Sequence, residues 1–174
     1  VSGITMRGSS LLVSCTFSAD ALNAAAATAP PVTIFAGAAV AILDADTTVS
    51  VGGGLFVAAD ATFFAKTKST LEADSTVDSK IAIALAIGLS DSDTTANYTV
   101  GKFGYVGGDL VVQAKQIDDY TVKAVAAPKQ NNSPVAIAIA AGYESSDSTA
   151  SIVSASGDSE LTVLGNLSVQ AEQS

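Results

Sequence analysis

A segment of alternating large and small apolar residues occurs three times in this chain and constrains the fold more than any other feature. The central copy, Ile81 to Asp93, reads IAIALAIGLSDSD; a second copy, VAIAIAAGYESSD, runs from Val135 to Asp147, and a looser one, IFAGAAVAILDAD, from Ile34 to Asp46. Alternation with a period of two predicts a β-strand, because a helix would repeat every 3.6 residues. A membrane helix would need about 18 apolar residues, and acidic residues interrupt each copy before that length. The chain is therefore a repeat of β-strands.

The two faces of these strands differ in side-chain size. We expect the large face to form one continuous core with the strands that follow it, comprising Ile83, Leu85, Val112, Ile137, Ile139 and Val169. A small apolar face is unusual for a solvent-facing strand, which ordinarily carries polar side chains. The small face is therefore predicted to be an interaction surface, covered by the segment 101–107 or by a neighbouring fibre, and it comprises Ala82, Ala84, Ala86, Gly88, Ala136, Ala138, Ala140 and Gly142.

A second recurring pattern is a Leu-x-Val anchor that follows small or turn-forming residues. It is found at Leu11 and Val13, Leu55 and Val57, Leu110 and Val112, and Leu167 and Val169. The spacing of about 44 to 57 residues is typical of a solenoid or array. We predict an all-β protein, a parallel β-solenoid built from these repeats, with a β-sandwich-like array as the alternative. The predicted segments are a partial repeat (1–31), two full repeats (32–80 and 81–134) and an incomplete third (135–174), which suggests a piece of a longer array or a processed chain.

Composition excludes several classes of protein. A hydrophobic content of 48% is too high for a disordered chain. The net charge of −9 argues against nucleic acid and anionic membranes as partners, because both are bound through Lys and Arg clusters. The chain has no His, and Arg7 is its only arginine, so the commonest general base is absent. We predict no catalytic residues and no enzyme activity; Asp118 and Asp119 are interpreted as a solvated turn.

Two shorter features also carry predictions. The only cysteine, Cys15, allows no internal disulfide, and we expect it to be a small buried residue. The alanine-rich segment from Ala19 to Ala29 is predicted to form one or two helical turns, because alanine is the best helix former.

Acidic residues end every copy of the alternating segment. They are Asp44, Asp46, Asp91, Asp93, Glu144 and Asp147. Equivalent positions of adjacent coils lie about 4.8 Å apart, so these carboxylates would repel one another unless they are hydrated or bridged by a cation. Calcium, which prefers oxygen ligands, is the candidate cofactor. The alternative is that these residues only form turns.

The elements follow one another in a fixed order: an alternating strand, a D-x-D-T-T-A-like corner, a short T-V strand and G-G-D-L-x-V-x-A. This order resembles the repeats of filamentous-haemagglutinin-like and leukotoxin-like bacterial adhesins. The resemblance extends from about Gly8 to Ser174. It implies an exported, right-handed β-solenoid that serves as a structural, non-catalytic module of an extracellular or cell-surface fibre. The implied partners are neighbouring repeats or other copies of the chain, with a host surface, environmental surface or glycan as the adhesive target. A self-assembling filament subunit and a polysaccharide-active β-helix enzyme are the alternatives.

Overall fold

The computed structural model describes residues 2–6, 11–28, 35–79, 81–128 and 135–174, and these residues contain nine strands and no helix. The strands are β1 (Ser2–Met6), β2 (Leu11–Thr28), β3 (Phe35–Val57), β4 (Ala61–Ser79), β5 (Ile81–Val106), β6 (Leu110–Pro128), β7 (Val135–Ser154), β8 (Glu160–Val163) and β9 (Leu167–Gln173). Several of them are far longer than the five or six residues of an ordinary strand.

The strands form two parallel sheets. The first sheet has the order β1, β3, β5, β7, with β8 also paired to β5, and the second has the order β2, β4, β6, β9. The chain therefore alternates between the sheets, and each coil contributes one long strand to each: β3 with β4, then β5 with β6. Parallel pairing of strands separated by a whole coil is the hallmark of a β-solenoid. The predicted all-β parallel solenoid is confirmed.

The pairing register aligns the three alternating segments as the sequence suggested. Asp46 lies beside Asp93, and Asp93 beside Asp147. The Leu-x-Val alignment, by contrast, is wrong at one point. Leu11, Ala61, Leu110 and Leu167 form one row of the second sheet, whereas Leu55 lies in the first sheet beside Gly104. The LFV sequence at Leu55 ends β3 before the turn, and so resembles the anchor only in composition.

The predicted helical turns in the alanine-rich segment are also wrong. Strand β2 runs without interruption from Leu11 to Thr28 and pairs one to one with β4. Helix propensity is a weak preference, and the β4 ladder supplies a hydrogen-bond partner along the whole segment. Cys15 lies on this edge strand and is exposed, contrary to the prediction that it is buried.

The inward and outward faces of the alternating strands are reversed relative to the prediction. Ala82, Ala84 and Ala86 are completely buried, whereas the side chains of Ile137 and Ile139 are 45% and 53% exposed. Val169 is 44% exposed, although it pairs with buried Val112 and so has the predicted inward orientation. Only Val112 of that set is fully buried, and Ile83 and Leu85 are partly exposed. The small face of the first sheet is thus the interior of the solenoid.

The second sheet supplies the bulk that fills this interior. Buried Leu71 and Val77 project from β4 towards the alanines of β3 and β5. The sheets lie so close that a Cβ added to Gly37 would stand 2.8 Å from Cγ2 of Val77. Most residues of the first sheet opposite such side chains are small, with Leu43 as the exception, because protein interiors are packed to near crystal density. Larger aromatic residues, Phe63 and Tyr98, fill the other end of the coil, with ring centroids 5.4 Å apart.

Glycine at two equivalent positions makes room for Tyr120. Gly88 and Gly142 are neighbours in the first sheet, and Tyr120 of β6 lies against both. The Tyr120 hydroxyl donates a hydrogen bond of 2.6 Å to the carbonyl oxygen of Gly88. Burial raises the pKa of this hydroxyl, and the negative charge of Glu144 adds to the shift, while a backbone hydrogen bond with Tyr143 opposes it. The contact of Tyr120 with Gly88 and Gly142 therefore joins the two sheets across the middle of the coil.

The three-residue turn from the first sheet to the second is held by a ladder of side chains. The carboxylate of Asp60 accepts a hydrogen bond of 2.9 Å from the backbone N–H of Asp109 in the next coil. The carboxylate of Asp109 in turn accepts one of 2.7 Å from the backbone N–H of Asn166. Gly108 and Gly165 precede these donors, and a Cβ at either would collide with the aspartate of the coil before it. This packing explains the recurring glycine before the second-sheet strands.

Candidate functional site

The outward face of the first sheet carries five of the six predicted acidic residues. The pairs Asp44–Asp91 and Asp46–Asp93 each lie side by side in adjacent strands, and Asp147 extends the second pair into a column of three. All five side chains are exposed. They lie within the long strands β3, β5 and β7 and not at corners, so turn formation does not account for them.

Glu144 does not join these columns. It pairs with Ser90, a buried residue, and so has the inward orientation of β7, whereas the aspartates point outward. The prediction placed Glu144 with the other acids by its distance along the sequence. A difference of one residue moves a side chain to the opposite face of a strand.

The central member of the column of three has a raised proton affinity. The pKa of Asp93 lies above its ordinary value, first because of partial desolvation and then because of the negative charges of Asp46, Asp91 and Asp147. A backbone hydrogen bond from Asp147 opposes the shift. Among the residues described, no group of three or more His, Cys, Asp or Glu side chains is arranged to hold a metal ion. Calcium binding at these positions stays a prediction.

Beside the acidic columns lies a surface that sequence reasoning assigned to the core. We call it the outer aliphatic strip; it comprises the outward-facing residues of three strands, Ala36, Ala38, Val40 and Ile42 of β3, Ile81, Ile83, Leu85, Ile87 and Leu89 of β5, and Val135, Ile137, Ile139, Ala141 and Tyr143 of β7. The strip is five residues long on β5 and ends where the acidic columns begin.

The part of the predicted interaction surface that lies on β5 is not an outer surface. Ala82, Ala84, Ala86 and Gly88 are buried beneath the second sheet, and the segment 101–107 plays no part in covering them. Their counterparts on β7, Ala136, Ala138, Ala140 and Gly142, have the same inward orientation but are exposed. The reason is that β9 pairs only with Leu110–Gln116 of β6 and does not extend opposite them.

The segment 101–107 is a bulge and the end of strand β5. The register shifts between Gly53, which pairs with Val100, and Leu55, which pairs with Gly104, so β5 carries extra residues there. Tyr105 stacks on Phe56 of the preceding coil with ring centroids 5.0 Å apart, while Phe103 is exposed. The aromatic pair therefore joins two coils on the surface.

The outward face of the second sheet has a different charge pattern. It carries both signs, and Lys115 forms a salt bridge of 2.9 Å with Glu172 of the next coil. The hydrogen bond and positive charge of Lys115 lower the pKa of Glu172. Lys123 lies 3.7 Å from Asp74. Strands β3 and β7 of the first sheet, by contrast, contain no Lys or Arg at all.

Asp118, which was interpreted as part of a solvated turn, lies in the middle of β6 and faces the interior. Its carboxylate accepts hydrogen bonds from the hydroxyls of Ser69 and Ser92 and from the side-chain amide of Gln116. The same amide donates to the backbone carbonyl of Ser92 at 2.7 Å. Ser69, Ser92 and Gln116 are buried, and this cluster bonds the two sheets together. Its neighbour Asp119 is exposed.

The third coil repeats this contact. Gln173 lies beside Gln116 in the second sheet, and its amide donates to the backbone carbonyl of Ser146, the neighbour of Ser92, at 3.1 Å. A glutamine thus ties the two sheets together in successive coils. The recurring V-Q-A sequence after the anchors contained no signal for this role, because the glutamine that reaches inward stands three residues further along.

Comparison of this chain with protein-family models, with curated proteins and with solved structures finds no match. In the part of the chain that the structure describes, no helix is long and apolar enough to cross a membrane.

Proposed function

We propose that this chain is a structural, non-catalytic module of an extracellular fibrous adhesin or cell-surface fibre. The observation that supports the proposal is the stacking of its coils in one register, with equivalent residues in rows. A fold of this kind lengthens by one strand spacing, about 4.8 Å, for each added coil, and each coil extends the existing core. The resemblance of its repeats to those of bacterial adhesins supports the extracellular setting.

An array of known length tests the structural role. Two, three and four tandem copies of the chain would be purified and imaged by electron microscopy. A stalk module gives rods whose length rises in proportion to the number of copies, with constant width. Compact particles or flexible strings of beads would contradict a continuous fibre.

A second experiment tests the location and the adhesive role. An antibody against the chain should label intact cells of the source organism, and brief protease treatment of those cells should remove the signal. Beads coated with the chain should adhere to host cells, mineral surfaces or glycans more than beads coated with an unrelated acidic protein. Antigen found only after cell lysis would overturn the extracellular assignment.

One observation favours a self-assembling filament subunit as a second candidate. Strand β7 is 20 residues long and, within the described residues, pairs along the sheet with β5 alone. A long strand edge of this kind can accept another strand through its backbone hydrogen-bonding groups. Filaments formed by the purified chain, and lost when either Ile139 or its neighbour Ala140 is replaced by Pro, would support this candidate over the stalk module. The N–H groups of two successive residues point to opposite sides of a strand, so one of the two prolines removes a donor from the side away from β5.

A further inference from the structure

The outer aliphatic strip is a contiguous apolar surface, and none of the contacts described above accounts for it. Its outward side chains occupy three adjacent strands, and from strand geometry the strip covers about 400 Å². Contiguous apolar surface of a few hundred square ångströms usually marks a contact site. We propose that the strip is an interface between two copies of this chain, packed face to face about a twofold axis parallel to the direction in which the coils stack.

The shape of the strip fits this arrangement. Side chains of successive coils stand in straight rows, for example Ala38, Leu85 and Ile139. The register is one to one from Phe35 to Gly53 and along all of β7, so no bulge interrupts these rows. Each row is a ridge, and along the strand the ridges are about 6.7 Å apart. Rotation about the stacking direction leaves the ridges of both copies parallel, so that each set fits into the grooves of the other, as in steric zippers.

The distribution of charge selects the same axis. The acidic columns lie at one end of the strip, starting with Asp44 and Asp91. A twofold axis parallel to the strands would bring the acidic columns of the two copies together. An axis along the stacking direction reverses the strands, so the two strips overlap while the acidic columns lie at opposite ends of the pair. The same carboxylates disfavour an anionic lipid surface as the occupant.

The size of the strip sets the strength of the pair. Two copies would bury about 800 Å² in total, less than the roughly 1,200 Å² at which stable complexes begin. A single copy of the chain should therefore associate weakly and reversibly, and tandem copies should associate more tightly. This interface depends only on the strip, and it holds whether or not the chain is a fibre module.

Sedimentation equilibrium provides the first test. The chain, with exposed Cys15 replaced by Ser to prevent disulfide formation, would be studied from about 10 μM to about 1 mM, a range that covers weak interfaces. The average mass should rise from 17.2 kDa towards twice that value as concentration increases. A monomer throughout this range overturns the proposal.

Lysine substitutions locate the interface. Ile42 and Ile139 are 67% and 53% exposed, so Ile42→Lys and Ile139→Lys should leave the fold intact, and each should reduce association at least tenfold. Val153→Lys is the matched control, because Val153 is 44% exposed on the same face of β7 but beyond the acidic column. Melting curves of all three variants would establish that they are folded. Equal association of the strip variants and the control would place the contact elsewhere and overturn the proposal.

Cross-linking tests the orientation of the pair. In the Cys15→Ser background, Leu85→Cys lies at the centre of the strip, and a short bis-maleimide that spans about 10 Å, the distance between packed sheets, should link two copies. Val125→Cys on the outer face of the second sheet should not be linked. Binding of the strip to neutral phosphatidylcholine vesicles without self-association would identify a lipid occupant and overturn the proposal.

Discussion

Replacement of Gly88 by Ala tests the closeness of the two sheets in the interior. The new methyl carbon would lie 2.5 Å from Cγ2 of Val122, 2.8 Å from Cδ2 of Leu71 and 2.9 Å from the Tyr120 hydroxyl oxygen. Overpacking of this kind costs about 1–3 kcal/mol. Loss of the 2.6 Å hydrogen bond from Tyr120 to the Gly88 carbonyl would add about 1 kcal/mol. Alanine also lowers the conformational entropy of the unfolded chain, which stabilises the folded state by about 0.4–1 kcal/mol.

We therefore expect Gly88→Ala to lower the free energy of unfolding by about 1–3 kcal/mol. The assay is urea unfolding followed by circular dichroism, with the midpoints compared at constant slope. Gly157→Ala is the control, because nothing lies within 4 Å of a Cβ at that position. Adding Val122→Ala, which removes the closest methyl group, should restore part of the loss, so that the double variant is more stable than the sum of the single effects predicts. If Gly88→Ala is as stable as Gly157→Ala, the interior is looser than described and the reasoning fails.

Three further predictions test the two faces of the first sheet. Ala84→Asp should unfold at least one coil, because an unpaired buried carboxylate costs several kcal/mol. Ile83→Asp, on the outward face, should have a melting temperature close to that of the wild type. The opposite ranking would show that Ile83 and not Ala84 faces the core. Because the folded pKa of Asp93 is raised above about 3.8, the folded state binds the proton more tightly, and stability should fall as pH rises from that value through the folded pKa. Asp93→Asn should thus be more stable than the wild type at pH 7, by a few tenths of a kcal/mol, with the advantage shrinking in acid and in high salt; melts that show no pH-dependent difference would argue against repulsion in the column. Calcium should raise the melting temperature of the wild type, and a chelator should reverse the effect, whereas the Asp91→Asn, Asp93→Asn double variant should not respond. An equal response of the two proteins would show that Asp91 and Asp93 do not bind calcium.

The class of fold was predictable because it depends on periodicity. Alternation along Ile81 to Leu89 could only be a strand, and its recurrence at Val135 indicated stacking. The alignment of the three segments also followed, since Asp46, Asp93 and Asp147 lie in one column. These features are local or strictly repetitive, and the sequence therefore contains them directly.

The direction in which each face points was not predictable in the same way. A strand of alternating Ile and Ala shows which residues share a face, and the usual rule places the larger ones inside. Here the volume of the interior is divided between two sheets, and Leu71, Tyr120 and Val122 of the second sheet occupy the space that Ile83 and Leu85 were expected to fill. Which face points inward depends on which strand of the second sheet packs opposite each strand of the first, and this packing cannot be read from a single strand. The inward-facing Asp118 was missed for the same reason.

The hydrogen bonds at the turns tie neighbouring coils together in both directions. The carboxylate of Asp60 accepts from the backbone N–H of Asp109, while the backbone N–H of Ala61 donates to the carbonyl of Asp109 at 2.8 Å. The next two coils repeat the arrangement, because the carboxylate of Asp109 accepts from the backbone N–H of Asn166 and the backbone N–H of Leu110 donates to the Asn166 carbonyl at 2.9 Å. A turn with a coil on either side cannot open without breaking bonds to both neighbours. Local opening of the solenoid should therefore start at a coil that has one neighbour and spread inward, one coil at a time.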